Sequence, residues 1–91
     1  MKIIEFDGMD FIEIGYTHEI IKSKLELPEF YGNNLDALWD CLTGWIDVPT
    51  RIKWYNYNES YEKLGDYAEK LKNVFEDASK EVDELEFELE A

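Results

Sequence analysis

The 91-residue sequence contains one cysteine, Cys41, and one histidine, His18. A single cysteine excludes an internal disulfide, so a chain this short must be stabilised by its own packed core. No Ser/His or Cys/His pair, glycine-rich phosphate loop or metal-ligand cluster can be recognised, and no metal or cofactor is expected. We expect Cys41 to be a small buried apolar residue and His18 to be a surface or capping residue.

Basic residues are also scarce, because nine Lys plus Arg stand against 22 Asp plus Glu and give a formal net charge of −13. Such a surface repels phosphate backbones and anionic lipid headgroups, so binding to nucleic acid or to membranes is not expected. No apolar run approaches the roughly 20 residues that cross a bilayer. The chain also begins without the apolar segment of a signal peptide, and a cytoplasmic location is expected. The acidity either keeps the protein soluble or attracts a cationic partner.

Hydrophobic residues are plentiful, at 45% of the chain with three Trp, six Tyr and five Phe, which is too many for a disordered acidic tail. β-rich runs alternate with segments of helical spacing, so we expect one α/β domain over residues 1–91 with a small, mostly parallel sheet. The expected strands are 2–6, 51–55 and 85–90. The expected helices are 17–27, 34–43, 58–64 and a longer one that a capping box at 66–69 opens. The Val48-Pro49 bond is open to either isomer.

The segment from Leu25 to Thr50 contains five acidic residues and no Lys or Arg. Asp36 and Asp40 lie one helical turn apart, so their like charges repel. Asp36 is in the first turn of its helix, where the helix dipole favours an anion, but Asp40 is near the C-terminal end, where it does not. Asp40 is therefore either an ordinary solvated residue or a binding residue, in which case a cationic partner offsets the repulsion from Asp36 and the unfavourable helix dipole.

Aromatic residues surround these carboxylates: Phe30, Tyr31, Trp39 and Trp45, with Gly32 and Gly44 beside them. Aromatic side chains around a charged centre are typical of a protein-binding hot spot. The alternative is that Trp39 and Trp45 belong partly to the core, and for Trp45 this interpretation is at least as well supported as the hot spot.

The run from Leu27 to Trp45, LPEFYGNNLDALWDCLTGW, resembles the inhibitory loop and helix of the barstar family. Barstars are intracellular inhibitors of barnase, a secreted bacterial ribonuclease. The order of elements is also similar, so the resemblance implies a three-stranded parallel sheet packed against helices. It further implies an antitoxin or immunity protein, not an enzyme, that forms a 1:1 complex with a basic, secreted, barnase-like ribonuclease and blocks its active site.

The resemblance implies roles for individual residues. A carboxylate at Asp40 would lie where the scissile phosphate binds, and Asp36 matches the second key aspartate. The other positions that match partner contacts or their supports are Phe30, Asn34, Leu35, Trp39, Thr43, Gly44, Trp45 and Asp77. Three positions depart from barstar: Phe30 replaces a Tyr, Asn33 replaces a Glu, and Asp77 replaces a Glu. These departures put the identity of the target in doubt.

Two other classes of function compete with this interpretation. Asp36 and Asp40 resemble the paired carboxylates of glycoside hydrolases, but neighbouring helical turns place them on a convex surface and 91 residues leave no cleft for a sugar. The second is a barstar-like interaction or immunity domain that binds a different cationic toxin or protein, because a fold does not fix its partner.

Overall fold

A computed structural model describes all 91 residues, and its centre is a sheet of three parallel strands. The strands β1 (Lys2–Asp7), β2 (Thr50–Tyr55) and β3 (Leu85–Leu89) are arranged in the order β1-β2-β3. Ile4 is in register with Ile52, and Ile52 with Phe87. Parallel neighbours need long crossover connections, and helices supply them here. The expected α/β class with a three-stranded parallel sheet is confirmed.

Four α-helices make up the rest of the regular structure, apart from one 3-10 turn at Gly8–Asp10. The helices are α1 (Ile14–Leu25), α2 (Leu35–Gly44), α3 (Tyr57–Leu64) and α4 (Asp66–Glu81). α2 packs against α4, and α4 packs against β3. The Val48-Pro49 peptide bond that precedes β2 is cis.

Both expected ends of α1 are wrong, and so is the expected capping box of α4. α1 begins three residues before Thr17 because the side chain of Glu13 accepts a hydrogen bond from the backbone N–H of Tyr16, and it ends at Leu25 because Glu26 is left-handed, with φ of 53°. The capping box at 66–69 does not form: Gly65 is the residue before α4, and no side chain caps the helix. Asp66 and Glu69 still lie in the first turn, where the helix dipole favours their charge.

The core lies between the helices and one face of the sheet, with Trp54 on the central strand fully buried. Its ring contacts Phe11 and Phe75 edge-on, at centroid distances of 5.3 Å and 6.3 Å. Its indole N–H donates to Ser60 Oγ at 3.0 Å, and that hydroxyl donates to the carbonyl of Gly8, also at 3.0 Å. One buried serine therefore joins the central strand, α3 and the 3-10 turn.

We expect Ser60→Ala to lower the free energy of unfolding by about 1–3 kcal/mol, because it leaves the buried Trp54 N–H without an acceptor. Urea denaturation followed by fluorescence measures the change. Ser79→Ala is the matched control, since the Ser79 hydroxyl donates only to the carbonyl of Glu76, within the same helix, and its loss is expected to cost less than about 0.5 kcal/mol. Equal costs for the two variants would contradict this role of Ser60.

Candidate functional site

The loop between α1 and α2, residues 26–34, is attached to α1 by two exposed contacts. Lys22 forms an ion pair with Glu29 at 3.4 Å, and the side-chain amide of Asn33 donates to Glu19 at 2.8 Å. Asn33 has a φ of 52°, in the left-handed region that asparagine tolerates better than most residues. The loop therefore lies along α1 in a defined conformation.

Asn34 begins α2 as expected. Its side-chain oxygen accepts a hydrogen bond from the backbone N–H of Ala37 at 2.8 Å, and its amide donates to the carbonyl of Gly32 at 3.1 Å. One side chain thus caps the helix and fixes the end of the loop that precedes it.

Helical periodicity places Asp36 and Asp40 in water, because the buried face of α2 consists of Leu38 and Leu42. Neither aspartate takes part in an ion pair or a side-chain hydrogen bond within the chain; the ion pairs involve other carboxylates, at Glu26, Glu29, Glu86 and Glu88. Asp36 lies in the first turn of the helix, as expected. The negative charge on this face of α2 is therefore not compensated by any ion pair within the chain.

Phe30 and Trp45 form the aromatic part of the surface. Phe30 is 72% exposed and Trp45 52% exposed, and their rings meet edge-on with centroids 6.1 Å apart. The indole N–H of Trp45 donates a long hydrogen bond, 3.4 Å, to the carbonyl of Glu26. Because Trp45 is this exposed, the alternative that it belongs to the core is wrong.

A groove of about 390 Å³ lies between this aromatic pair and the acidic helix. We call it the aromatic groove; it is lined by Pro28, Phe30, Tyr31, Gly32, Ala37, Asp40, Cys41, Gly44 and Trp45. Four of the residues expected to contact a partner, Phe30, Asp40, Gly44 and Trp45, are thus brought together. Three more, Asn34, Leu35 and Asp36, line a second depression together with Tyr67.

The remaining expected residues have other positions. Trp39 is half-buried against the core, and Thr43 donates its hydroxyl to the carbonyl of Trp39 at 2.8 Å, so both support α2 from within the chain. Asp77 is exposed on α4 and lines neither depression. Cys41 is only half-buried; burial, and secondarily the charge of Asp40, raises the pKa of its thiol, so it is poorly suited to act as a nucleophile.

The expectation that His18 is a surface or capping residue is wrong. Its side chain is 0% exposed, and its ring nitrogens lie 2.6 Å from the hydroxyl oxygens of Tyr31 and Tyr67. Burial lowers the pKa of His18 and raises that of Tyr67. Tyr67 is not among the expected site residues, because nothing in the local sequence indicates that its side chain contacts α1.

The chain has no group of three or more His, Cys, Asp or Glu side chains placed to hold a metal ion. None of its helices combines the length and the apolar character that a membrane span requires.

Comparison with known proteins gives two findings. The family model described as Barstar (barnase inhibitor) matches residues 1–91. The chain is also 45% identical over 82 residues to the Bacillus subtilis (strain 168) protein named "Putative ribonuclease inhibitor YrdF", an alignment that covers 90% of each chain.

We expect Asp40→Asn to raise the free energy of unfolding by about 0.5 kcal/mol, because it removes a like-charge repulsion and an anion that the helix dipole does not favour. Asp36→Asn is the matched control: it relieves the same net charge but also removes a favourable dipole interaction, so we expect it to be less stable than Asp40→Asn. Urea denaturation measures both. The reverse order would mean that Asp40 is compensated within the free chain.

We expect the stability of the protein to fall as the pH drops from about 6.5 towards the depressed pKa of folded His18. In this range the unfolded chain binds a proton that the folded chain does not, so acidification favours unfolding, and the contribution is fully present above the unfolded pKa. The slope of unfolding free energy against pH is measured for the wild type and for His18→Gln, which share all other titrations. Identical slopes would contradict the depressed pKa.

Proposed function

Because the chain belongs to the barstar family, whose members are inhibitors and not enzymes, we propose that it blocks the active site of a basic, secreted, barnase-like ribonuclease in a 1:1 complex. Residues 1–91 act in this proposal as one domain, an antitoxin or immunity protein of the cytoplasm. The observation that carries the proposal is Asp40, an exposed carboxylate without an intramolecular partner at the rim of the aromatic groove.

The chemistry of the proposal is replacement of a phosphate by a carboxylate. A ribonuclease site holds its scissile phosphate with Arg, Lys and His side chains, and a carboxylate accepts the same charge-assisted hydrogen bonds. Asp40 offers no bond that the enzyme can cleave, so a complex that places it in the cleft is inhibited. Asp36, one turn earlier on the same helix, supplies the second carboxylate.

The aromatic groove suits a planar cationic side chain of the enzyme. Phe30 and Trp45 expose ring surface, and Arg or protonated His stacks favourably on such rings. Phe30 carries no hydroxyl, so this wall of the groove contributes contact area and no hydrogen bond. Gly44 borders the groove, and a side-chain atom added there would meet nothing of this chain within 4 Å, which means that its open space is available to a partner.

The charge distribution supports rapid association with a basic partner. The net charge of −13 and the absence of Lys and Arg between Leu25 and Thr50 give this face a strongly negative potential. Complementary fields steer encounter and raise the association rate, an effect that salt screens. Speed matters for an inhibitor that must protect the cell that makes it.

The supporting residues act through preorganisation. Asn34 fixes the start of α2, Leu35 and Trp39 pack against the core, and the hydroxyl of Thr43 is bonded within the helix. A surface that is already ordered loses less conformational entropy on binding. Asp77, on the neighbouring α4, is proposed as a peripheral contact.

The alternative is a barstar-like domain directed at a different cationic toxin or protein. Phe30, Asn33 and Asp77, which depart from the barstar pattern, favour a changed target, because all three are exposed and their changes leave Asp36 and Asp40 in place.

We expect the purified protein to inhibit a barnase-like ribonuclease stoichiometrically and Asp40→Ala to raise the inhibition constant by about 30-fold or more, since it leaves the enzyme's cations without a partner. The 30-fold figure is carried over from the family, because the charge pairs from which it is taken include those of the barnase–barstar complex itself. Cleavage of a fluorescent oligoribonucleotide is the measurement.

Asp10→Ala is the matched control, because Asp10 is an exposed aspartate on the 3-10 turn and lines neither the aromatic groove nor the second depression. It removes the same charge, and we expect the inhibition constant to change less than about threefold. Equal effects of the two variants would mean that only net charge matters. No inhibition by the wild type would favour the alternative target.

A further inference from the structure

A buried hydrogen-bonded bridge lies behind the partner-binding surface. The ring of His18, on α1, places Nδ1 2.6 Å from the hydroxyl oxygen of Tyr31 and Nε2 2.6 Å from that of Tyr67. Tyr31 belongs to the loop between α1 and α2, and Tyr67 to α4. One imidazole therefore connects α1, the loop that follows it and the distant helix α4.

The bridge reaches both parts of the surface. Tyr31 lines the aromatic groove together with Phe30 and Asp40. Tyr67 lines the second depression, together with Asn34 and Asp36. The bridge therefore joins one lining residue of each depression, and each depression also contains one of the two carboxylates.

The chemistry of imidazole makes the bridge sensitive to protonation. A neutral ring has one donor and one acceptor nitrogen, so one tyrosine hydroxyl donates to it and the other accepts from it. A protonated ring has two donors, and the hydroxyl that had donated must turn its hydrogen elsewhere. The hydroxyl of Tyr31, on a buried side chain, has no other hydrogen-bond partner in the chain.

Nothing around the ring compensates a positive charge. The titratable groups that face it are Tyr31 from the loop and Tyr67 from α4, with Cys41 of α2 near Tyr31. On α1 itself, the side chain of Glu19 is bonded to Asn33, and Lys22 carries a positive charge. The ring has no carboxylate partner, and its burial lowers the pKa of His18, in agreement with this geometry.

We propose that Tyr67 and His18 are positioning residues that hold Tyr31, and with it the loop, in the conformation that receives the partner, and that protonation of His18 releases this conformation. Binding is then weaker at acidic pH through a group that does not touch the partner. The identity of the partner as a ribonuclease rests on the proposed function, but the positioning of the loop does not.

The first test uses the free protein. Because His18 is the only histidine, its ring C–H signals in NMR spectra are unambiguous, and the amide signals of Gly32, Asn33 and Asn34 report the loop. We expect the loop signals to move with the same midpoint as His18, below pH 6.5. In Tyr67→Phe we expect the loop signals to differ from the wild type already at pH 7.5.

Tyr61→Phe is the matched control, because it removes a tyrosine hydroxyl from the neighbouring α3 that is exposed and bonded only to Asp66, at 3.4 Å. Its loop signals should coincide with those of the wild type. A titration of His18 that leaves the loop signals in place, or a Tyr67→Phe variant with an unchanged loop, would overturn the proposal whether or not a ribonuclease binds.

The second test measures the ratio of ribonuclease affinities of the wild type and His18→Gln between pH 5 and pH 8, since titrations of the enzyme cancel in this ratio. We expect the ratio to fall by up to about tenfold per pH unit below the midpoint of His18. A constant ratio with intact inhibition would overturn the linkage. Absence of inhibition by both would refute the proposed target, and the NMR result would then decide the positioning role.

Discussion

The proposed partner-binding surface depends on how α2 is buried. Leu38 and Leu42 are inaccessible to solvent and hold the helix against the core, on the side where α4 packs. Helical periodicity then leaves Asp36 and Asp40 on the side that faces water. The chain thus uses the apolar stripe of one helix to present two carboxylates in fixed positions, and a flexible acidic segment of the same charge would not do so.

The uncompensated charge of this face has a cost for the free protein. A sequence selected for stability alone would place a cation at position 40, near the C-terminal end of the helix. Elsewhere the chain does pair its carboxylates across the sheet, where Arg51 contacts Glu86 at 2.8 Å. The contrast between a sheet face whose carboxylates are paired and a helix face whose carboxylates are not is the reason for proposing the helix face as a binding surface.

Much of this arrangement could be predicted from the sequence, because it follows from local patterns. β-rich runs predicted the strands, the cap at Asn34 predicted the start of α2, and helical spacing predicted that both aspartates lie off its apolar face. The start of α1 could not be predicted, since glutamate is a weak capping residue and Glu13 takes this role only in its context. The bridge through His18 was also missed, because it joins residues 13 and 49 positions away that come together only through the packing of α1 against the loop and α4.

Competition with a mononucleotide shows whether the chain occupies the phosphate site of its target. The dissociation constant of the complex is measured at increasing concentrations of a mononucleotide that binds the active site of the ribonuclease. If the chain occupies this site, the apparent constant rises linearly with the nucleotide concentration, by the factor 1 + [L]/KL in which KL is the dissociation constant of the nucleotide, at constant ionic strength. A constant that does not change would show that the protein binds elsewhere on the enzyme and would contradict the account.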